Sequence, residues 1–505
     1  MKISRVTRAL NIFITKNCFV SMGVSINMAA HGLTMGFAAI LLPQLRRPDS
    51  AIPIDDASGS WIASILGFAL VAGNFIVPTI MAKFGRKTAN LASLAPMLVG
   101  WFGIITANSI TALLIARFLQ GVAMGMSASL GPVLIGEYSS PKNRGAFLTV
   151  ISLSIATGVL TVHTVGSYFR WQTTALVCAF IMFFDLLIVI YSPESPSWLA
   201  DQGRYDEARK VFHWLRGDGE NDELDRMIET SKLIREAKED AGVTDTFRKK
   251  IRSNLAYVNA TIRKKEFYKP IFIMIHIYTL GQWAGANLLA AYTLDIFTHV
   301  IGSDANISLL VITLDIQRII SNSLAVYVIK KVKRRTMLFS TVGINIFAFL
   351  ATAAYTYMKA HNILPYDHPF IGILLVHIHM FSIATGTVPL PFIIAGEVFP
   401  LEYRSLAGGF SVLFLSANLF ITVKTVPFLF KNVGIHGAYV LYTSVIVYCL
   451  AIAWFFLPET KDRTLQEIED EFRGKPLTAE EVKSTQSLKS RKYSNADRRW
   501  SAPVI

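Results

Sequence analysis

Gln282 and Asn287 are the side chains in this sequence best suited to hold a polar ligand. They lie in Gly281-Gln282-Trp283-Ala284-Gly285-Ala286-Asn287, within a long apolar run, and Tyr292-Thr293 follows. Primary amides both donate and accept hydrogen bonds, which suits a neutral polyol. The two amides are five residues apart, about 140° around a straight helix, so some unwinding is needed before both face one cavity. Gly281 and Gly285 could supply that loosening as hinges, or serve only as close-packing points between helices. Tyr292 and Thr293 are further candidates for the same cavity.

Other chemistry is sparse. Ionisable residues inside the apolar runs are Asp185, Asp295, Asp315, Arg318 and Lys424, with His31, His163, His276, His377 and His379. His377 and His379 are two apart and face opposite sides of a helix, so a metal site there is not expected. Cys18, Cys178 and Cys449 lack metal or disulfide spacing and read as packing residues. No nucleotide-binding loop occurs in the polar segments, so ATP-driven work is not expected. For the carrier that the whole pattern below suggests, no catalysis, cofactor or metal is expected. Gly386-Thr387-Val388-Pro389-Leu390-Pro391 puts two prolines in one apolar run, which breaks the backbone ladder and suggests a hinge. Arg117, Gly121 and Gly125 share one helix face, where the glycines would allow close contact.

The elements that position these residues follow from composition. Of 505 residues, 52% are hydrophobic and only 17% charged, too apolar for a soluble chain of this size. Roughly twelve runs are long enough to cross a bilayer, at about 17–42, 61–81, 90–108, 111–136, 146–167, 172–192, 270–298, 306–329, 337–358, 369–395, 407–430 and 437–457. The expected fold is an all-α membrane protein of two six-helix, pseudo-symmetric halves, 1–192 and 270–457. Between them, 193–269 is polar and carries helical periodicity in Tyr205–Leu215 and Asp222–Ala237, which suggests amphipathic helices on the cytosolic face. The basic cluster Arg248, Lys249, Lys250 and Arg252 could touch anionic lipid or simply be solvated. The tail 458–505 has a helix-like run, Leu465–Phe472, and a composition beyond about 474 that suggests disorder.

The net charge of +14 is mainly a topology signal, and nucleic acid is not an expected partner. Lys and Arg concentrate on one side of alternating spans, so both termini are expected in the cytosol. The run from Cys18 to Leu42 is too long for a cleaved leader. Asn306-Ile307-Ser308 is a glycosylation sequon close to the eighth span.

The same charged marks recur about 250 to 265 residues apart. Gly136-Glu137 leads to Arg144, and Gly396-Glu397 leads to Arg404. Pro193-Glu194 matches Pro458-Glu459, and Arg86-Lys87 matches Arg334-Arg335. Such duplication reads as two halves enclosing a transport path. Arg86, Lys87, Glu137, Arg144 and Glu194 mark the mouth of the first half, and Arg334, Arg335, Glu397, Arg404 and Glu459 that of the second. Ion pairs between the halves would form an inner gate, shut in one state and parted in the other; the same charges could also be only topology anchors.

These residues resemble the sugar porter branch of the major facilitator superfamily, most closely its insect facilitated trehalose transporters, over roughly 25–472. Pro193-Glu194-Ser195-Pro196-Ser197-Trp198-Leu199 is similar to the family's PESPRWL, and Pro458-Glu459-Thr460-Lys461-Asp462-Arg463-Thr464-Leu465 to PETKGxTL. Arg117 to Gly125, Glu137 to Arg144-Gly145, Gly386 to Pro391, and Val423-Lys424-Thr425 also fit. The resemblance implies a multi-pass cell-membrane uniporter, active as a monomer, that moves trehalose or a hexose by alternating access.

Departures from the family pattern bear on the substrate. Gly281 replaces the first of two adjacent glutamines, Ser152 a fifth-span glutamine, Phe392 a tenth-span tryptophan, and Leu415-Ser416 an Asn-Trp pair. Ser152 and Phe392 stand at positions that line the sugar site in the family. Arg318 aligns with an asparagine of hexose carriers. It could pair with Asp315, one turn away, which is the favoured reading because unpaired charge at bilayer depth is costly. Facing a cavity unpaired, it would select an anionic solute. The first span lacks the acid of proton-coupled members, and His31 reads as a buried, hydrogen-bonded histidine, so proton coupling is not expected. A carrier of another small polar or anionic solute, or a non-transporting sugar sensor on this scaffold, are the alternatives.

Overall fold

The computed structural model describes the backbone except residues 1, 139–140, 241–263, 303–305, 365, 367, 400–403, 464 and 475–505. The side chains of 2–15, 17, 141–149, 218, 233–234, 236–240, 404–406 and 465–466 are also left out of the description. Arg144, Arg404, the Arg248–Arg252 cluster and the tail beyond 474 therefore lie outside it.

The first half contains α1 (Lys2–Leu45), α2 (Asp56–Phe84), α3 (Arg86–Ile105), α4 (Ile110–Tyr138), α5 (Pro141–Tyr168) and α6 (Trp171–Tyr191). The stretch that follows folds into α7 (Pro196–Asp201), α8 (Tyr205–Arg216) and α9 (Asn221–Asp240). Leu215 of α8 joins Val20, Val24, Leu134 and Tyr138 in one apolar cluster, and Lys16 lies over the Trp214 ring. These short helices thus rest on the first half.

The second half opens on a broken span, α10 (Lys265–Trp283) and α11 (Ala286–Ile301). It continues with α12 (Ile307–Lys331), α13 (Arg334–Ala360), α14 (Pro369–Ser382), α15 (Pro389–Val398), α16 (Arg404–Phe456) and α17 (Leu465–Arg473). α16 is two spans in one, separated at Gly434, whose φ of 70° no helix continues through. Among the described residues, ten helical segments, with Pro369–Val398 taken as one, are long and apolar enough to cross a membrane. Counting the broken α10–α11 as one span and α16 as two gives the twelve-helix major facilitator fold.

Local chemistry sets the helix ends. Asp55 accepts from the Ser58 backbone N–H at 2.9 Å, and Asn306 from Leu309 N at 3.1 Å, each satisfying an orphan donor of the first turn. The Ser58 hydroxyl and backbone N–H hold the Asp55 carboxyl below its usual range. Pro369 opens α14, where its missing N–H costs nothing.

Close packing follows the small residues. A Cβ on Gly73 would lie 2.0 Å from the Val122 carbonyl oxygen, and one on Gly125 would lie 2.1 Å from that of Leu70. α2 and α4 therefore touch backbone to backbone. Arg117 is fully buried on the same α4 face. It donates to the carbonyls of Thr34 (2.7 Å) and Ile62 (3.2 Å) and to Gln120 Oε1 (3.3 Å), so it ties α1, α2 and α4 together. Cys178 and Cys449 are buried, but Cys18 is exposed, so the packing role expected for it is corrected. The reason is its place on the outer face of α1.

The halves meet toward one end. There Arg46 Nη1 pairs with Asp295 Oδ2 at 3.0 Å, and Lys424 Nζ donates to Ser60 Oγ at 2.7 Å while lying 4.0 Å above the Trp61 ring. His163 reaches Asp315 between α5 and α12. The opposite end, which carries Arg86, Lys87, Arg334 and Arg335, we term the basic end.

Candidate polar cavity and the charged mouths

The amide pair is assembled by a break in the backbone. α10 ends at Trp283, Gly285 takes φ 95° and ψ 6°, and α11 begins at Ala286. Only glycine adopts that left-handed conformation freely. Across the break, Asn287 Nδ2 donates to Gln282 Oε1. The unwinding expected from their spacing is present, and the two amides face each other.

The two suspected hinge glycines differ. Gly285 makes the turn, whereas Gly281 remains helical. A Cβ at Gly281 would sit 3.0 Å from the Thr387 carbonyl and 3.1 Å from Pro391 Cγ, so this glycine admits the tenth span instead of bending the seventh. Gly386 lies in a wide turn, Ile383–Thr387, just ahead of Pro389, and a Cβ there would overlap Thr341. The tenth span is thus interrupted where its prolines led one to expect it.

The broken strand of backbone is tied down. The Ala284 carbonyl accepts from Asn345 Nδ2 at 3.1 Å and contacts His379 Nε2 at 2.8 Å. Asn345 also donates to Ser382 Oγ at 3.0 Å. Trp283 Nε1 donates to Asn418 Oδ1 at 2.8 Å, and Asn418 donates to Thr279 Oγ1 at 3.1 Å. Asn345 and Asn418 escaped the sequence reading; single amides at these spacings leave no pattern. His379 is a hydrogen-bonded packing residue as expected, and His31 likewise contacts Ser127 Oγ at 2.6 Å.

The other candidates scatter around this site. Asn287 lines a small void between the halves with Ser64, Met35, Gly67, Leu419 and Val423. The Ser64 hydroxyl is buried there with no partner among the described residues. Tyr292 is buried at a second kink (φ −131°, ψ 25°) and its hydroxyl donates to the Val423 carbonyl at 3.2 Å. Thr293 is buried, and its hydroxyl has no partner among the described residues. Ser152 is half-buried on α5. Phe392 is exposed and its ring lies 5.9 Å from that of Tyr278. Arg318 is the paired residue favoured from sequence: its Nη1 lies 3.6 Å from Asp315 Oδ1.

The charged mouths repeat each other residue for residue. Arg86 Nη2 meets Glu137 Oε1 at 2.7 Å, and Arg334 Nη2 meets Glu397 Oε1 at 2.9 Å. Glu194 accepts from the backbone N–H groups of Arg86 (2.8 Å) and Lys87 (3.1 Å), and Glu459 from those of Arg334 (2.9 Å) and Arg335 (3.1 Å). Lys87 and Arg335 each reach a carbonyl near the end of the last span of their own half, Ile190 and Trp454. Every one of these bonds lies within a half. Ion pairs between the halves, expected to be closed in one state and parted in the other, are not seen at this end among the described side chains, which leave out Arg144 and Arg404. Among the described residues, cross-half ion pairs occur only at the other end, in Arg46–Asp295 and His163–Asp315. The physical reason is reach: each arginine sits in the turn between two spans whose same-half neighbours end in glutamate. Gly85 shows how tight that turn is, since a Cβ there would lie 2.2 Å from Glu194 Oε2.

Burial alone would raise the Glu459 carboxyl. Backbone N–H groups of Lys461, Arg334, Arg335 and Thr460 outweigh it and hold the group below its usual range.

A family model described as "Sugar (and other) transporter" matches residues 17–472. The facilitated trehalose transporter Tret1 of Bombyx mori is 26% identical over 458 residues, covering 91% of this chain and 87% of that protein. Tret1 of Aedes aegypti is also 26% identical and matches 92% of this chain, which spans 56% of that longer protein. The inward-open structure of the xylose transporter XylE from E. coli superposes with a TM-score of 0.70 at 16% identity, over 91% of this chain and 99% of that one. XylE bound to 6-bromo-6-deoxy-D-glucose gives a TM-score of 0.68 at 16% identity, over 91% and 99%.

Proposed function

The chain belongs to the sugar (and other) transporter family, and on that premise we propose that it is a facilitated carrier moving trehalose or a hexose down its gradient by alternating access. The observation that carries this reading is the Gln282–Asn287 pair, set at a helix break beside the junction of the halves. Amides at a break can exchange their mutual bond for bonds to sugar hydroxyls with little loss.

The basic end faces the cytosol in this reading, with both termini there and the chain in the cell membrane as a functional monomer. Arg86–Glu137 and Arg334–Glu397 then brace each half at its inner mouth, with Lys87, Glu194, Arg335 and Glu459 fixing the turns. Arg144 and Arg404, whose side chains lie outside the description, are assigned to the gate from the sequence pattern alone. Gly285, Gly386, Pro389 and Pro391 supply the flexing points, and Gly281 the contact between them. Gln282 and Asn287 hold the solute, with Thr293, Ser152 and Phe392 around it and Tyr292 supporting the wall. The Asp315 carboxylate beside Arg318 counts against an anionic solute.

Tracer uptake of trehalose and glucose into cells expressing the chain, beside a Gln282→Ala control, tests the proposal. Saturable uptake that needs no proton gradient and falls at least tenfold in the mutant is expected. No uptake despite confirmed surface expression would overturn it, and ligand binding without flux would point to a sensor.

A further inference from the structure

The turn between α12 and α13 carries more positive charge than the fold uses. Lys330, Lys331, Lys333 and Arg335 lie in or beside it, and Lys461 comes in from the segment after α16. The first three are exposed. Arg334, in the same turn, is spent on Glu397, and Glu459 on backbone N–H groups. Among the described residues, the one carboxylate paired with any of the five cations is Asp462, 3.2 Å from Lys461 and 83% exposed. Lys461 Nζ also donates to the Lys331 carbonyl at 3.1 Å, which brings a further ammonium onto a segment that already holds three.

The duplication measures the surplus. At the matching places in the first half stand Ala82, Lys83, Gly85, Lys87 and Pro196, so three of the five cations have no counterpart. The two turns are shaped accordingly. Gly85 takes φ 97° and a Cβ there would press on Glu194, whereas Lys333 takes φ −61° and ψ 143° and stays exposed. Over the first turn Trp198 Nε1 donates to the Ala82 carbonyl and α7 starts at Pro196; at the second, Lys461 holds the place of that proline. Orientation in a bilayer asks only for charge on one side, and the first half meets it without these three lysines. Crowding them into one turn costs like-charge repulsion, which an anion would relieve.

Aromatic rings set the depth of the patch. Lys331 Nζ bonds the Tyr327 hydroxyl and lies 4.4 Å from that ring's centroid. The Arg335 guanidinium lies 5.8 Å from the rings of Phe339 and Trp454 and donates to the Trp454 carbonyl at 2.9 Å. Tyr327 and Trp454 are exposed near the ends of their spans. Exposed tyrosine and tryptophan at span ends mark the headgroup level of a bilayer. The cations are therefore held where lipid phosphates lie.

We propose that this turn is a binding site for the headgroup of an anionic phospholipid. Lys330, Lys333 and Lys461 would meet the phosphate and the headgroup's further negative charge, with Lys331 and Arg335 fixed beside them by the rings. Clusters of four or more Lys and Arg next to a span recruit such lipids. The site belongs to the second half alone, so the lipid would hold that half at the bilayer surface through the turn that carries the Arg334–Glu397 pair. The inference is independent of the solute.

Native mass spectrometry of the full chain, purified in detergent and titrated with phosphatidylserine or phosphatidylcholine, tests this. Wild type is expected to retain phosphatidylserine at least fivefold better. The triple variant Lys330→Gln, Lys333→Gln, Lys461→Gln should lose that preference with its phosphatidylcholine adducts unchanged, and Lys83→Gln should keep it. No preference in wild type overturns the proposal whether or not the variant folds. So does a preference that survives the three substitutions, or one that Lys83→Gln lowers as far, since that would be diffuse attraction to the basic end. Soluble glycerophosphoserine should bind far more weakly than the lipid; equal binding would make a free anion the ligand and overturn the membrane source.

Discussion

Asn287 donates to Gln282 although a straight helix would point the two away from each other. The bond exists because Gly285 reverses the backbone between them at φ 95°. A Cβ there would meet the His379 ring at 2.7 Å, in addition to the cost of a left-handed conformation. Gly285→Ala should therefore cost about 1–3 kcal/mol of stability and separate the amides. Melting of the purified protein and sugar uptake check it; a variant with normal uptake would show that the break is dispensable.

The two arginine–glutamate pairs should not be equally sensitive. Glu137 is 8% exposed and Glu397 25%. Glu397 also accepts from the Thr460 hydroxyl. Removing Arg86 strands a buried carboxylate, a loss of about 1–3 kcal/mol, while removing Arg334 leaves Glu397 partly satisfied. Arg86→Gln is expected to lower expression and melting temperature more than Arg334→Gln. Equal effects would mean that the extra bond to Thr460 contributes nothing.

Glu459 predicts an acid limit. Its folded-state carboxyl lies below the ordinary range, so its contribution to stability is complete above the unfolded value, about pH 4.3, and is lost as pH falls through the folded value. Wild type should melt above Glu459→Gln at pH 7 by a margin that stays constant to about pH 5 and begins to shrink below about pH 4. Tryptophan-fluorescence melting at stepped pH reads this directly. A margin that does not begin to shrink below about pH 4 would place the stabilisation elsewhere.

Lys424 and Trp61 offer a cleaner pairwise test. The ammonium lies 4.0 Å from the ring centroid while bonded to Ser60, and the contact crosses the halves. A double-mutant cycle with Lys424→Met and Trp61→Leu should return a coupling of about 0.5–2 kcal/mol. Coupling near zero would reduce the contact to coincidence.

The limits of sequence reading here are physical. Apolar length announced the spans, and the amides flanked by glycine announced the break. Asp315–Arg318 was visible because residues one helical turn apart must lie together. His163 was visible only as a charge-capable residue in an apolar run; its partner stands 152 residues away on the other half. The charge echoes revealed a duplication, but not that each arginine answers to its own half. Gly281 and Gly285 look alike in the string, yet the backbone turns at the second, while the Thr387 carbonyl and the Pro391 ring close on the first.

That self-contained pairing has a consequence for biosynthesis. Arg86, Glu137 and Glu194 close their clamp using residues that are all translated before the second half begins, and α8 docks Leu215 onto the same unit. The first half can therefore reach its final internal wiring while the ribosome is still making α10. Joints such as those at Arg46, Ser60, Trp61 and His163 must wait for the rest of the chain. Assembly then becomes the docking of two nearly finished pieces, and the last contacts to form are the ones the working protein would have to break.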